Sequence, residues 1–308
     1  MYPADRVILR EVGLRDGLQL VKSFPDTEAK RNWLQRERAA GVTHFEVGSF
    51  LPAKRFPQFA DVAQLTAEVA RLPGARCAAL ALNERGINDA LAAGVDELVC
   101  VVSATEEHSQ ANARRSQTAA VELVGRAAAL ARQGDRSPVI HVGLSMSFGC
   151  SIAGPVASGD VVRLAEECLS VGADVVSLAD TVGFAGPRQV TGLCRELRAA
   201  IGDRPFAIHL HDTRGLGLSN ASAALDEGCR ILDGALGGLG GCPFAPGATG
   251  NIVFEDLVFL CETMGFATGI DIDQLVQLRR LLAEAMPDET LYGAVARSGP
   301  PRNIPWAA

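Results

Sequence analysis

Eight short runs of apolar and β-branched residues recur along the chain: VILREV (7 to 12), THFEVGS (43 to 49), RCAALAL (76 to 82), DELVCVV (96 to 102), VIHVGLSM (139 to 146), ADVVSLAD (173 to 180), FAIHLHD (206 to 212) and ILDGALGG (231 to 238). Between them lie stretches with apolar residues at helical spacing, such as TEAKRNWLQRERAAG, GDVVRLAEECLSVGA and RQVTGLCRELRAAIG, and several of these close on a glycine where a helix would end. A strand followed by a helix, repeated eight times at roughly 20 to 40 residues per unit, predicts an α/β fold, a (β/α)8 barrel. The alternative, an open doubly wound sheet, ordinarily wants a glycine-rich phosphate turn after its first strand. Here the first strand runs into VGLRDGLQ, and the glycine-rich stretch GALGGLGGCPFAPGATGN comes late, at 234 to 251, without the Lys-Ser/Thr ending of a phosphate-binding loop.

No linker or low-complexity segment divides the sequence. The pattern therefore predicts a single catalytic domain over 1 to 308. Within it, 252 to 308 supply two further helical patterns, FEDLVFLCETMG and DIDQLVQLRRLLAEAM, and a proline-rich tail, SGPPRNIPW, which pack on the barrel. With 308 residues and 48% apolar content the chain can bury a large core. Its net charge of -7 and pI near 5.3, with no cluster of Lys and Arg, argue against a nucleic-acid partner. The N-terminal MYPADRVILREVG has no basic stretch followed by a long apolar run, and no run of 18 apolar residues occurs anywhere, so the expectation is a cytoplasmic protein without a membrane partner. Eight cysteines, at 77, 100, 150, 168, 194, 229, 242 and 261, are too widely spaced for a zinc knuckle and too sparse for a disulfide scaffold, so most read as small buried residues.

A barrel opens the C-terminal ends of its strands onto one face, where catalytic groups collect. Arg15 and Asp16 fall just past the first strand, Glu46 and Ser49 at the second, Asp180 at the sixth, His209, His211 and Asp212 at the seventh, and Cys242 with Asn251 after the eighth. His209 and His211 stand two apart on a strand, so both side chains leave the same face and can reach one ion. Asp16 would arrive from the first strand, next to the eighth in a closed barrel. Such a set of nitrogen and oxygen donors, with no thiolate required, favours a divalent cation such as Mg²⁺ or Mn²⁺; zinc, with Cys242 joining, ranks lower. Each residue also has a structural reading. Glu46 and Asp180 can tie to neighbouring backbone, Arg15 and Asp16 can form a simple ion pair, and Cys242 can be a buried small residue. His44, His108 and His141 have no partners at ligand spacing and read as structural.

The stretches EVGLRDGLQ (11 to 19), FEVGSFLPAKRFPQFAD (45 to 61), SLADTVGFAGP (177 to 187), IHLHDTRGLGLSN (208 to 220) and GLGGCPFAPGATGNIVFEDLV (238 to 258) resemble the 3-hydroxy-3-methylglutaryl-CoA lyases of the DRE-TIM metallolyase superfamily. The resemblance spans most of the chain. It implies that Asp16, His209, His211 and Asn251 bind the divalent cation. Arg15 would meet the substrate carbonyl oxygen where charge develops, and Cys242 would exchange protons with the substrate, alone or with His209. Glu46 and Asp180 match acidic active-site positions, and Gln19, Lys22 and Asn112 join Arg15 as contacts for substrate and coenzyme A. The chain departs from the family pattern at Leu14, Leu210, Arg214, Leu216, Met146 and Ala153, and Gly143 stands where an aromatic residue often lines the acyl pocket. These departures spare the residues for metal and proton transfer and bear on the acyl group.

The implied activity is retro-Claisen cleavage of a 3-hydroxy-3-methylglutaryl-CoA-like thioester to acetyl-CoA and an oxo acid, as in leucine catabolism, by a homodimer. Three alternatives stand beside it: a lyase for another 3-hydroxyacyl-CoA, such as citramalyl-CoA or a longer branched analogue; a condensing acyltransferase of the same superfamily; and a metal-binding protein without catalysis.

Overall fold

The computed structural model describes residues 6–134, 136–240 and 250–302. Eight parallel strands, β1 (Ile8–Glu11), β2 (His44–Ser49), β3 (Arg76–Leu80), β4 (Glu97–Ser103), β5 (Val139–Ser145), β6 (Val175–Asp180), β7 (Phe206–Leu210) and β8 (Ile231–Gly234), close into a barrel in chain order. β1 pairs with both β2 and β8, which removes the sheet edges. The connecting helices are α1 (Thr27–Ala39), α2 (Val62–Val69), α3 (Glu84–Ala93), α4 (Glu106–Ala113), α5 (Gln117–Ala131), α6 (Ser158–Ser170), α7 (Pro187–Ile201) and α8 (Gly217–Asp226). Their starts are written in the sequence: Asp26, Asn83, Thr105 and Ser116 each accept a backbone N–H of the first turn.

Except for β4, which matches its run in length, the strands are shorter than the apolar runs that announce them. The eighth run stops being a strand at Gly234 and turns into a 3-10 segment at Leu236–Gly238, because Gly237 and Gly238 adopt φ of +67° and +68°, which no strand accommodates. β7 likewise ends at Leu210, and His211 extends it through an isolated bridge to Asn251. Beyond the barrel, α9 (Phe254–Thr263) packs on α8, α10 (Ile272–Ala285) lies across α1 and α9, and α11 (Val295–Ser298) sits on α9. No helix among the described residues is long and apolar enough to cross a membrane.

Alternation along each strand sends Leu98, Cys100 and Val102, Ile140, Val142 and Leu144, and Val176 and Leu178 outward into the main core beneath the helices. The seven described cysteines are free and buried, and burial pushes the thiols of Cys77, Cys100 and Cys229 up to about 12, so they pack as apolar groups. Inside the barrel, Ile8, Val175, Ala207 and Ile231 form an apolar plug. One step further along the same strands the interior becomes charged. Arg10 binds Asp233 through two bonds of 2.7 and 2.9 Å, contacts Glu97, and lies 2.8 Å from His141 Nδ1, all at 5% exposure or less.

Charges so deep are tolerated because they are mutually paired, and removing one partner leaves the others without compensation. We predict that Arg10→Met lowers stability by about 3 to 5 kcal/mol, read from the denaturant midpoint, because two buried carboxylates lose their cation. A loss under about 1 kcal/mol would mean that the layer is not held by this charge.

Candidate active site

β1 does not run straight into a helix. Val12 O accepts N–H groups from Arg15, Asp16 and Gly17 at 3.0, 2.8 and 3.2 Å, which winds Gly13–Gly17 into a π-helical turn. This turn carries Arg15 and Asp16 to the barrel mouth. Glu46 on β2 forms an ion pair with Arg15, Oε1 lying 2.8 Å from Nε, and Arg15 Nη1 contacts Asp16, so two carboxylates flank the guanidinium. Burial works to raise the Asp16 carboxyl, but the Arg15 charge, a bond to His211 and the charge of His209 hold it well below the usual range.

His209 Nε2 and His211 Nε2 stand 3.1 Å apart, and Asp16 Oδ2 lies 3.2 Å from the second and 3.8 Å from the first. The donor atoms of Asp16, His209 and His211 all fall within 4.8 Å of one another. His209 is aimed from behind: its Nδ1 bonds Asp233 Oδ2 at 3.0 Å, the carboxylate that Arg10 holds, which turns Nε2 toward Asp16. Asn251 reaches the same point because the segment after the glycine-rich loop pairs with the end of β7, with Ile252 N on Leu210 O at 3.2 Å and Asp212 N on Gly250 O at 3.0 Å. Asn251 Nδ2 donates to Asp16 Oδ2 at 2.8 Å and to Leu239 O at 3.0 Å, while its buried Oδ1 has no partner among the described residues.

This donor set fits a divalent cation. Two imidazole nitrogens and one carboxylate converge, Asn251 stands beside them with its amide oxygen unspent, and the set contains no thiolate.

The remaining predicted residues divide. Asp180, at the end of β6, spends both oxygens on the following turn, accepting Phe184 N at 2.8 Å and Ala185 N at 3.1 Å, which is the backbone tie that the sequence left open. Gln19 is half-buried beside the π-helical turn, and its carbonyl accepts Gln58 Nε2 at 3.0 Å. Lys22 is exposed beyond that turn, and Asn112 is exposed on α4. Cys242 lies outside the described residues. Sequence reasoning missed Arg10, Glu97 and Asp233, although each is a charge inside an apolar strand run, the same signal that singled out Glu46.

The HMGL-like family model matches residues 6–282. The chain belongs to the HMGL-like family. Hydroxymethylglutaryl-CoA lyase of Bacillus subtilis is 34% identical over 285 residues, covering 92% of this chain and 94% of the relative. (R)-citramalyl-CoA lyase of Chloroflexus aurantiacus is 36% identical over 306 residues, 96% of each chain. A solved HMG-CoA lyase from Acinetobacter baumannii, in complex with coenzyme A and 3-methylmalate, matches with a TM-score of 0.89 at 34% identity, over 99% of this chain and 98% of that one.

Behind the mouth of this HMGL-like barrel lies a second set of acids. Glu11 Oε1 accepts Gly13 N at 2.6 Å and Leu236 N at 3.3 Å, so it ties the π-helical turn to the base of the glycine-rich loop. Glu255 accepts Gly237 N at 3.0 Å and contacts Arg279. Glu37, from α1, lies beside Glu11 and the Trp33 indole. Burial pushes Glu11 up to about 8, against its two backbone bonds, and burial together with the Glu11 charge pushes Glu37 well above the usual carboxyl range.

A carboxyl with a raised folded pKa retains a proton that the unfolded chain has released, so this cluster makes stability fall as pH rises from the ordinary glutamate value of 4.5 through about 8. Glu37→Leu should therefore melt higher than the parent at about pH 8, with a difference that shrinks steadily toward pH 4.5. Paired melting curves across that window test this, and a difference independent of pH would show that the pair carries no retained proton.

Proposed function

We propose that the chain is a divalent-metal-dependent carbon-carbon lyase. It cleaves a 3-hydroxy-3-methylglutaryl-CoA-like thioester to acetyl-CoA and an oxo acid, acetoacetate where the substituent is methyl. The convergence of Asp16, His209 and His211 at one point of the barrel mouth carries this reading. Asp16, His209, His211 and Asn251 would hold Mg²⁺ or Mn²⁺, whose contribution when bound is to orient the tertiary hydroxyl and make it more acidic.

The protein's own groups do the rest. The hydroxyl proton leaves to a base, Cys242 or His209, and the bond between C2 and C3 breaks. Its electron pair moves into the thioester, where Arg15, braced by Glu46 and Asp16, meets the negative charge on oxygen; a fixed donor of this kind contributes roughly 3 to 4 kcal/mol. A proton delivered to C2 by the other of the two residues completes acetyl-CoA. Asp180 contributes by fixing the turn after β6. Lys22 offers a cation to the coenzyme A phosphates, and Gln19 and Asn112 offer polar contacts to the rest of the substrate.

Gly250 supports a role for the loop that bears Cys242: a Cβ there would fall 1.5 Å from Gly240 O, so the two ends of the loop touch backbone to backbone. Asn251, the residue after Gly250, then stands beside Asp16. The same proposal includes one catalytic domain over 1 to 308, with 252 to 308 as its C-terminal helices and tail, acting as a cytoplasmic homodimer in leucine catabolism.

Cleavage of 3-hydroxyacyl-CoA thioesters, followed by release of acetyl-CoA, tests the reading directly. Activity should require Mg²⁺ or Mn²⁺ and vanish on chelation; turnover that survives chelation would overturn the metal reading. Asp16→Asn should weaken metal binding on the order of 100-fold in calorimetry, and the metal-free protein should still fold but melt lower than the parent at neutral pH, because Arg15 and the imidazoles lose an anion. Cys242→Ala should lose turnover by at least about 100-fold while metal binding stays intact. Equal loss of fold or metal would return Cys242 to a structural role.

A further inference from the structure

Two neighbouring positions of the barrel's inner wall remain partly accessible where the wall around them is buried. On β4 the accessible residue is Val101, and on β5, past its first residue, it is Gly143; the two are direct partners in the β4–β5 register. Gly143 follows His141 by two, and His141 reaches Arg10 inside the barrel, so position 143 faces the interior as well.

Nothing in the backbone demands a glycine there. The residue sits within a regular strand, and a Cβ at this position would meet Cys100 O at 3.8 Å and Val101 Cγ2 at 3.9 Å, both ordinary contacts. A strand-interior glycine costs roughly 0.5 to 1 kcal/mol relative to alanine. What that cost leaves behind is space.

The space has a definite chemistry. Toward β3, the residues Ala78, Leu80 and Val99, with Leu82 and Val101, form one apolar cluster separate from the main core. Toward β6, the hydroxyls of Ser145 and Ser177 are buried without partners among the described residues, and Ser177 is the register partner of Gly143. The wall runs on into the site at both ends, since Ala78 pairs with Glu46 and Ala179 with His209.

We propose that Gly143 opens an apolar hollow opposite the metal ligands, and that this hollow selects 3-hydroxyacyl-CoA thioesters whose C3 carries an apolar substituent longer than methyl. The inference rests on the lyase reading above and names the substrate within it. The reaction is unchanged: the C3 hydroxyl loses its proton, the bond from C2 to C3 breaks, the electron pair goes to C2, and C2 takes a proton. Acetyl-CoA and a 3-oxo acid bearing the substituent result, with no further reactant. The substituent takes no part in the electron flow, so the hollow acts on binding and orientation.

The test uses the metal-loaded enzyme with two probes, 3-hydroxy-3-methylglutaryl-CoA and its analogue with an unbranched six-carbon alkyl group in place of the methyl. The parent should cleave the six-carbon probe with a kcat/KM at least equal to that for the methyl probe. Gly143→Phe should shift the ratio of the two values toward the methyl probe by at least about 100-fold, and Gly143→Val by less. Calorimetry should give metal affinity within about twofold of the parent for both. If Gly143→Phe does not fold, Gly143→Val carries the comparison. A parent that cleaves only the methyl probe, or a ratio that stays put in the folded variants, overturns the inference and leaves the lyase reading standing. A metal-loaded parent that cleaves neither probe removes both.

Discussion

Everything at the mouth of this barrel depends on compensating buried charge. Asp16 can remain an anion in a low-dielectric setting because Arg15 lies against it and two imidazoles face it. Arg15 in turn is held by Glu46. Beneath them, Asp233 orients His209 only because Arg10 neutralises it, and Arg10 is anchored among Glu97 and His141 from β4 and β5. The chain of pairs crosses the barrel from one wall to the other, so the geometry of the histidines is set by residues contributed by five strands. A cation at the mouth would join this balance rather than disturb it, since the convergent groups include a carboxylate.

The architecture was legible because strand and helix periods alternate cleanly eight times, and a barrel converts that order directly into strand adjacency. The groups that meet were legible too, since Asp16, His209, His211 and Asn251 all fall at strand ends that open on one face. Strand lengths were less so. Gly237 and Gly238 read as part of an apolar run, and only their positive φ reveals that the chain turns there. The supporting charges were hidden for a different reason: Arg10, Glu97 and Asp233 sit in separate apolar runs, and nothing local says that they touch. The acid cluster needed three dimensions as well, because Glu37 looks like one more charge on an amphipathic helix until α1 carries it against Glu11.

That cluster bears on how the site is assembled. Glu11 joins the turn holding Arg15 and Asp16 to the first residues of the glycine-rich loop, and Glu255 holds the next residue of the same loop. The metal ligands and the loop base therefore share one rigid support.

The interior thus divides by task around its circumference. β1, β7 and β8 carry or orient the groups that would handle the cation and the protons, and these are locked by charge pairs that tolerate little change. Beyond the charged layer of Glu97 and His141, β3 and β4 present small and apolar side chains toward the same space, held by packing, where a volume change costs far less than the loss of an ion-pair partner. A fold arranged in this way can keep one bond-breaking chemistry while the opposite wall is re-cut for different substituents. Gly143 stands beside that wall, where a Cβ would meet its neighbours only at ordinary contact distances.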